Sequence, residues 1–570
     1  MKALRFWLEA GEAAVPLWSP DQRVARGLGW LAAIGLTLFI ALPLLAILLQ
    51  AVIDSESGQL SLAPVQAVLA SPGFLDSLLG SLTVSLATVA LVLPTALVFA
   101  FALTRSRMPG RGLFKLLALS PLLAPSLMPG ISLVYLFGNQ GLLKSWLGDA
   151  SIYGPIGIVL GEAFYTFPHA LLILLTALAV ADARLYEAAE TLGASRLRRL
   201  LTVTLPNARY GLISAGLVVF TLAMTDFGVA KVIGGQYKVL ALEAYKQVIG
   251  QQNFGKGAVI GLMLLLPAVL SLLVERWVAG SRSASLGGRS VAFHPPENRW
   301  RDGALWLFCG GVLIGLLALL GVAMAASFIK LWPYSLELTL AHYDFDQMDG
   351  GGWQAFRNSV QMAAWTALVG TLGVFGVAYL LEKMPLPPLA RQICRTLALL
   401  PMAVPGLVLG LGYIFCFNHP ANPLHGLYGS LAILVLATVA HFYTTAHLTI
   451  STALRQLDGE IEAVSATLCR PFWVTVWRVT LPICLPALFD VARFFFVSAL
   501  TTVSCVIFLY TPDTVLAGVA VLNMDDAGET AGAAAMATLI VATALLASLL
   551  LSAAGSLLNR RAQAWRGQPH

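Results

Sequence analysis

The chain has 570 residues; 58% are hydrophobic, only 11% are charged, and the mean hydropathy is +0.80. A soluble chain carries about 25% charged residues, so a water-soluble globular protein is excluded and a polytopic membrane protein is indicated. The formal net charge of +6 then belongs to loops beside membrane lipid, and no nucleic-acid partner is expected.

Apolar runs near the roughly 20 residues needed to cross a bilayer occur twelve times: 29–53, 77–103, 115–137, 154–180, 209–232, 257–275, 304–328, 359–381, 396–417, 428–452, 483–510 and 531–557. Lipid offers backbone groups no water, so runs this long and apolar read as helices. The first starts too late and runs too long for a cleaved leader, and reads as an anchor. The charges lying well inside the runs are Glu162, Asp226, Asp490 and Arg493. The last two, three residues apart, can pair on one helix face. The six cysteines lie in or beside spans without a C-x-x-C pair, and read as buried thiols rather than a disulfide or metal framework.

Assigning alternate loops to one side places 27 of the 35 Lys and Arg residues in segments 1–29, 104–116, 181–209, 276–302, 383–396, 453–482 and 557–570. The positive-inside rule puts these segments, and both termini, in the cytoplasm. Residues 233–256 then lie outside. There, "GQQNFGKG" (250–257) nearly matches the phosphate loop G-x-x-x-x-G-K-[ST], but Gly257 stands where a hydroxyl should hold the metal. Its position and the missing hydroxyl make it a chance match in an external loop.

The twelve runs form two sixes. "TLGASRLRRLLTVTLP" (191–206) aligns without a gap on "TLCRPFWVTVWRVTLP" (467–482). "SPLLAPSLMPG" (120–130) lies over "LPMAVPGLVLG" (400–410), and "FYTFPH" (164–169) over "FYTTAH" (442–447). These matches, in chain order, indicate an internal duplication. An even number of spans per half gives both halves one orientation, with a path plausible at their interface. The expected fold is all-α and polytopic, with about twelve transmembrane helices as two parallel-repeat six-helix domains. The expected segments are 1–28 (cytoplasmic), 29–279 (first domain), 280–302 (linker), 303–560 (second domain) and 561–570 (tail).

Between spans 4 and 5, "LYEAAETLGASRLRRLLTVTLP" (185–206) is too polar to cross. Residues 185–192 favour a helix, Gly193 suits a left-handed cap, and Ser195 can cap a second helix with Leu197, Leu200 and Leu201 on one face. Pro206 should mark the start of span 5. Read from physics alone, this is as well an ordinary amphipathic loop. The spacing, however, resembles the EAA loop of binding-protein-dependent ABC importer permeases. Glu187, Ala188, Ala189, Gly193, Leu205 and Pro206 match, with Val203 for isoleucine. The resemblance implies a coupling helix that docks on a separate ATPase subunit. In the second copy Ala463 replaces the glutamate, Cys469 replaces the glycine, and Glu462 lies one residue early, turned about 100° around the helix; Leu481 and Pro482 match.

The resemblance covers nearly the whole chain and implies two fused type I permease domains. It further implies two ABC ATPase subunits, a periplasmic or external solute-binding protein, a multi-pass bacterial inner (plasma) membrane location, and no chemistry or cofactor of the chain's own. "TDFGVAKVIGGQY" (225–237) and "YKQVIGQQNF" (245–254) look most like 2-aminoethylphosphonate permeases, which are related to ferric iron permeases. Candidate path residues are Asp226, Tyr165, Thr166 and His169, with Tyr443, Thr444 and His447 in the second half. The aromatic, hydroxyl and imidazole groups also suit plain packing between helices. No metal site is expected. Lys231, Lys238, Lys246 and Lys256 bracket an outside loop and suit an anionic solute or the acidic rim of a binding protein. An ion-coupled secondary transporter remains the alternative of another class, although it calls for more membrane carboxylates.

Overall fold

The computed structural model describes residues 20–53, 59–179, 183–282, 295, 297–468 and 470–562. Most of the expected segments 1–28, 280–302 and 561–570 lies outside the described residues. Among the described residues, ten helices are long and apolar enough to cross a bilayer, and two bent pairs bring the total to twelve if each is one span. In chain order we number them span 1 (Arg23–Val52), span 2 (Phe74–Arg105), span 3 (Arg111–Leu123 with Met128–Phe137), span 4 (Pro155–Ala179), span 5 (Leu200–Thr225) and span 6 (Phe254–Ser271). The second half follows with span 7 (Arg299–Ala326), span 8 (Gly352–Lys383), span 9 (Pro388–Ala403 with Gly406–Phe417), span 10 (Leu431–Arg455), span 11 (Phe472–Thr501) and span 12 (Thr530–Leu558). The expected all-α, two-times-six fold is the one found. Among the described residues it is joined by a short antiparallel hairpin, Ile329–Leu331 with Ser335–Leu338, after span 7.

Spans 3 and 9 differ from the straight helices expected over 115–137 and 396–417. They bend by 101° and 120°. Proline lacks a donor and pushes the residue before it into extended geometry. Ala124 before Pro125 has ψ 142°, and Val404 before Pro405 has φ −112° and ψ 115°. Apolar composition alone reads straight through these breaks.

Span 5 is likewise shorter at its far end than the expected 209–232. It stops at Thr225, and Asp226 leaves the helix with φ −74° and ψ 134°. Thr502 does the same after span 11, with φ −76° and ψ 139°. At the near end, Pro206 and Pro482 lie in the first α turns, as expected, but do not begin these helices. Five-residue π turns, Leu200–Thr204 and Val476–Thr480, run directly into them. The wider turn gives each proline ring room that an α turn would deny it, against the carbonyl four residues back.

The halves are crossed. Span 1 packs on the bent span 9, and span 7 packs on the bent span 3. The Tyr413 hydroxyl donates to the Phe39 carbonyl at 2.7 Å, and Ser132 donates to the Leu319 carbonyl. A Cβ at Gly412 would lie 2.5 Å from the Pro43 carbonyl oxygen, so glycine sets how closely spans 1 and 9 approach. The duplication also repeats a cap. Ser81 of span 2 accepts from the Leu240 amide at 2.8 Å, and Ser359 of span 8 accepts from the Ala517 amide at 2.7 Å. These start two short helices, Leu240–Tyr245 and Ala517–Asp526, each after its half's fifth span. Leucines such as Leu31 and Leu546 face outward, as a hydrocarbon solvent requires. Five cysteines (309, 394, 416, 484, 505) are buried; Cys469 lies outside the described residues.

Candidate functional site

The polar elbow between spans 4 and 5 folds around one turn. A helix over Ala183–Thr191 ends with Gly193 at φ +71°. The Ala194 amide donates to the Ala189 carbonyl at 3.0 Å, and the Gly193 amide to the Glu190 carbonyl at 2.9 Å. This is the paired bonding of a Schellman cap, which needs a left-handed residue at the Gly193 position. Ser195 then accepts from the Arg198 amide at 3.3 Å and opens the next helix. The side chain of Leu197 lies outside the described residues, while Leu200 is half-buried and Leu201 exposed. Tyr186, buried beneath, donates to Thr204 at 3.0 Å and lies under the Arg105 guanidinium at 4.9 Å. Glu187 and Ala188 are exposed and Ala189 half-exposed, beside the strongly exposed Leu192. Leu205 and Pro206 sit in the first turn of the following helix.

The second elbow has the same frame and a different face. A helix spans Glu460–Thr467, and the Arg470 amide donates to the Ser465 carbonyl at 3.0 Å, repeating the Ala194 bond. Pro471 precedes the helix Phe472–Thr475, whose first amide donates to Asp21 at 3.0 Å. Ala463 is exposed, as Ala188 is. Glu462 instead turns inward to Lys383 at 3.5 Å, with side-chain exposures of 23% and 7%. The one-residue offset therefore buries this carboxylate where Glu187 presents one to solvent. Leu481 and Pro482 follow the π turn. A groove of about 510 Å³, lined in part by Glu460, Val464, Leu468 and Arg478, opens on this elbow.

The candidate path residues separate into two groups. In the first half, Glu162 of span 4 is fully buried, and neither carboxylate oxygen has a hydrogen-bond partner. Its electrostatic neighbour is Asp226, at the break after span 5, and Tyr165 stands near both. Asp226 accepts from the Val229 amide at 2.9 Å. His169 approaches the Tyr165 carbonyl at 3.3 Å, with the two rings 5.7 Å apart. Thr166 donates to the Glu162 carbonyl within its own helix at 2.7 Å. In the second half, Tyr443 and His447 stack at 5.7 Å. Thr444 donates across to the Ala398 carbonyl at 2.8 Å, tying span 10 to the first arm of span 9. The repeat places Ala440 and Thr502 where Glu162 and Asp226 stand, so the carboxylate pair belongs to one half only.

Lys231 does not pair with Asp226. It reaches across the halves to Asp526 at 2.9 Å, and its ammonium lies 5.9 Å from the Tyr245 ring. Tyr245 stacks on Phe227 at 5.5 Å and meets Phe508 of the other half at 6.4 Å. This interhalf cluster was not legible in the sequence, because its members are hundreds of residues apart. Lys238 pairs with Asp76 at 3.3 Å. Asp490 and Arg493 pair at 3.2 Å, as their spacing suggested. "GQQNFGKG" begins at the end of a π turn, Lys246–Gly250, and runs into the helix Phe254–Arg282. It lies at the opposite end of span 5 from Gly193 and follows a helix, not the strand of a phosphate loop.

With this geometry in place, comparison with known proteins gives consistent likenesses. The profile of the family described as "Binding-protein-dependent transport system inner membrane component" matches residues 92–282, a stretch that includes the first elbow. The ferric transport system permease protein FbpB of Actinobacillus pleuropneumoniae is 27% identical over 522 residues, covering 88% of this chain and 74% of that protein. The molybdenum transport system permease protein ModB of Escherichia coli (strain K12) is 30% identical over 215 residues, 36% of this chain and 93% of that protein. A spermidine/putrescine transport system permease protein PotC homolog of Mycoplasma pneumoniae is 30% identical over 207 residues, 35% of this chain and 68% of that protein.

Proposed function

We propose, on the premise that this chain belongs to the family of binding-protein-dependent transport system inner membrane components, that it carries both permease domains of an ATP-driven importer. It is a multi-pass membrane protein and a transport subunit rather than an enzyme. The observation that carries the reading is the elbow. A glycine-capped turn presents Glu187 and Ala188 on an exposed face and leads through a π turn into span 5. On this reading two ATPase subunits dock on the elbows, Glu187 to Gly193 in one and Glu462 to Cys469 in the other. An external binding protein delivers solute to the opposite face. Both termini lie in the cytoplasm, supported by the loop distribution of Lys and Arg. The unequal exposures of Glu187 and Glu462 support two docking sites of unequal geometry.

The solute we propose is 2-aminoethylphosphonate, on the likeness of residues 225–237 and 245–254. Ferric iron is the second reading, favoured by a relative named for ferric transport that aligns over most of the chain. Relatives are named for ferric, molybdenum and spermidine/putrescine transport, so membership leaves the solute open. Uptake into proteoliposomes tests both levels. Transport by this chain with no ATPase present removes the importer reading and favours an ion-coupled transporter. Calorimetry of the cognate binding protein with 2-aminoethylphosphonate and with ferric citrate decides the solute.

A further inference from the structure

We propose that Glu162 and Asp226 receive the positively charged amino group of the solute as it crosses the first half of the permease. This rests on the importer reading and on a 2-aminoethylphosphonate solute. The carrying observation is Glu162. It is fully buried, and both carboxylate oxygens lack a hydrogen-bond partner. An unpaired carboxylate at membrane depth is costly, and such a group normally faces a partner or a pathway. Its neighbour Asp226 is a second acid, so the pair brings two carboxyl groups together and supplies no counter-charge of its own. Tyr165 adjoins both acids. The helix breaks that frame this place, Ala124–Pro125 in span 3 and Asp226 after span 5, meet where a Cβ on Gly228 would lie 2.6 Å from the Ser126 hydroxyl. Irregular backbone at this depth is tolerated where it is buried in protein or lines a cavity.

A primary ammonium fits the set. Its three donors match two carboxylates, and the Tyr165 ring adds a cation-attracting face. Tyr165, His169 and Asp226 are only half-buried, so the closed carboxylate lies one side chain from accessible space. A metal ion fits less well. Among the described residues no third His, Cys, Asp or Glu joins the pair in a ligand set. Ala440 and Thr502 at the repeat positions leave the second half without an equivalent, so the amine is held on one side only.

The test uses the full chain with its ATPase and binding protein in proteoliposomes. Probes are 2-aminoethylphosphonate, ethylphosphonate, which lacks the amine, and ferric citrate. Charge-assisted hydrogen bonds to an ammonium are strong enough that Glu162→Gln or Asp226→Asn should lower the preference for 2-aminoethylphosphonate over ethylphosphonate by about tenfold or more. Asp490→Asn, which alters a paired and largely exposed carboxylate, should leave that preference unchanged. A mutation-free measurement guards against misfolding. An apolar carbodiimide should label Glu162 in the wild-type complex, read by peptide mass spectrometry, and 2-aminoethylphosphonate but not ethylphosphonate should protect it. Unchanged preference in both variants, or labelling indifferent to 2-aminoethylphosphonate, overturns the assignment while leaving the permease reading intact. Carriage of iron in place of 2-aminoethylphosphonate overturns it as well. Absence of ATP-driven uptake for all three probes instead defeats the permease reading, and this assignment with it.

Discussion

Replacing Gly193 perturbs one turn and little else. Its φ is +71°, and a Cβ added there meets no atom within 4 Å. The cost of alanine is therefore backbone strain alone, roughly 1–2 kcal/mol for an L-residue held left-handed. The two bonds that close the turn, at 3.0 and 2.9 Å, are each worth about 1 kcal/mol net, so strain of that size is enough to open it. The ratio of closed to open turn should fall by a factor of roughly 5–30. Asparagine tolerates the left-handed region and should cost less, while β-branched valine should cost more. Affinity of the ATPase subunit for the reconstituted permease should follow glycine, asparagine, alanine, valine in descending order, and ATP-driven uptake should follow the same order. The reasoning is refuted if Gly193→Val binds the ATPase and transports at wild-type levels, or if asparagine is as damaging as valine.

Two further outcomes concern the contact between halves. The Lys231–Asp526 pair is partly exposed, with side-chain exposures of 24% and 49%, so solvent screening limits it to about 0.5–1 kcal/mol. A double-mutant cycle with Lys231→Met and Asp526→Asn should show that coupling in thermal unfolding; strictly additive single changes would show that the pair is idle. Next to it, burial foremost, then the charge of Asp526, pushes the Asp525 carboxyl up to about 6, against the lowering effect of Lys231. The folded state thus holds this proton more tightly than the unfolded chain does. The residue's favourable contribution is present at low pH and is lost as pH rises from about 4 to about 6. Asp525→Asn should flatten the dependence of Tm on pH across that window and raise Tm above it, by at most about 3 kcal/mol of stability. Parallel pH profiles for variant and wild type would contradict this.

The membrane class, the duplication and the elbow were legible because each depends on local composition or on residues close in sequence. Gly193 and Ser195 show this well: cap chemistry is decided within six residues. The bends at Pro125 and Pro405 were visible as prolines but hidden by the apolar runs that contain them. The π turns before Pro206 and Pro482 have no residue pattern to announce them. The crossing of spans 1 and 7 onto the opposite halves was beyond reach, since a helix apolar on all sides carries no record of its partner. Asp226 and Glu162 were each visible as intramembrane acids, 64 positions apart. That they face one another is a fact of tertiary packing, as is the meeting of Lys231 with Asp526.

The π turn that carries the elbow into span 5 without a break gives that helix the mechanics of a lever. Its 26 residues, Leu200–Thr225, make a rod about 39 Å long at 1.5 Å per residue. Pivoted at the elbow, a tilt of only about 5° would sweep its far tip through about 3 Å, the length of one hydrogen bond. The residue riding on that tip is Asp226. On the importer reading, a small rocking of a partner docked at the elbow would thereby be magnified into a change in the separation of Asp226 from Glu162, on a span that need not move at all.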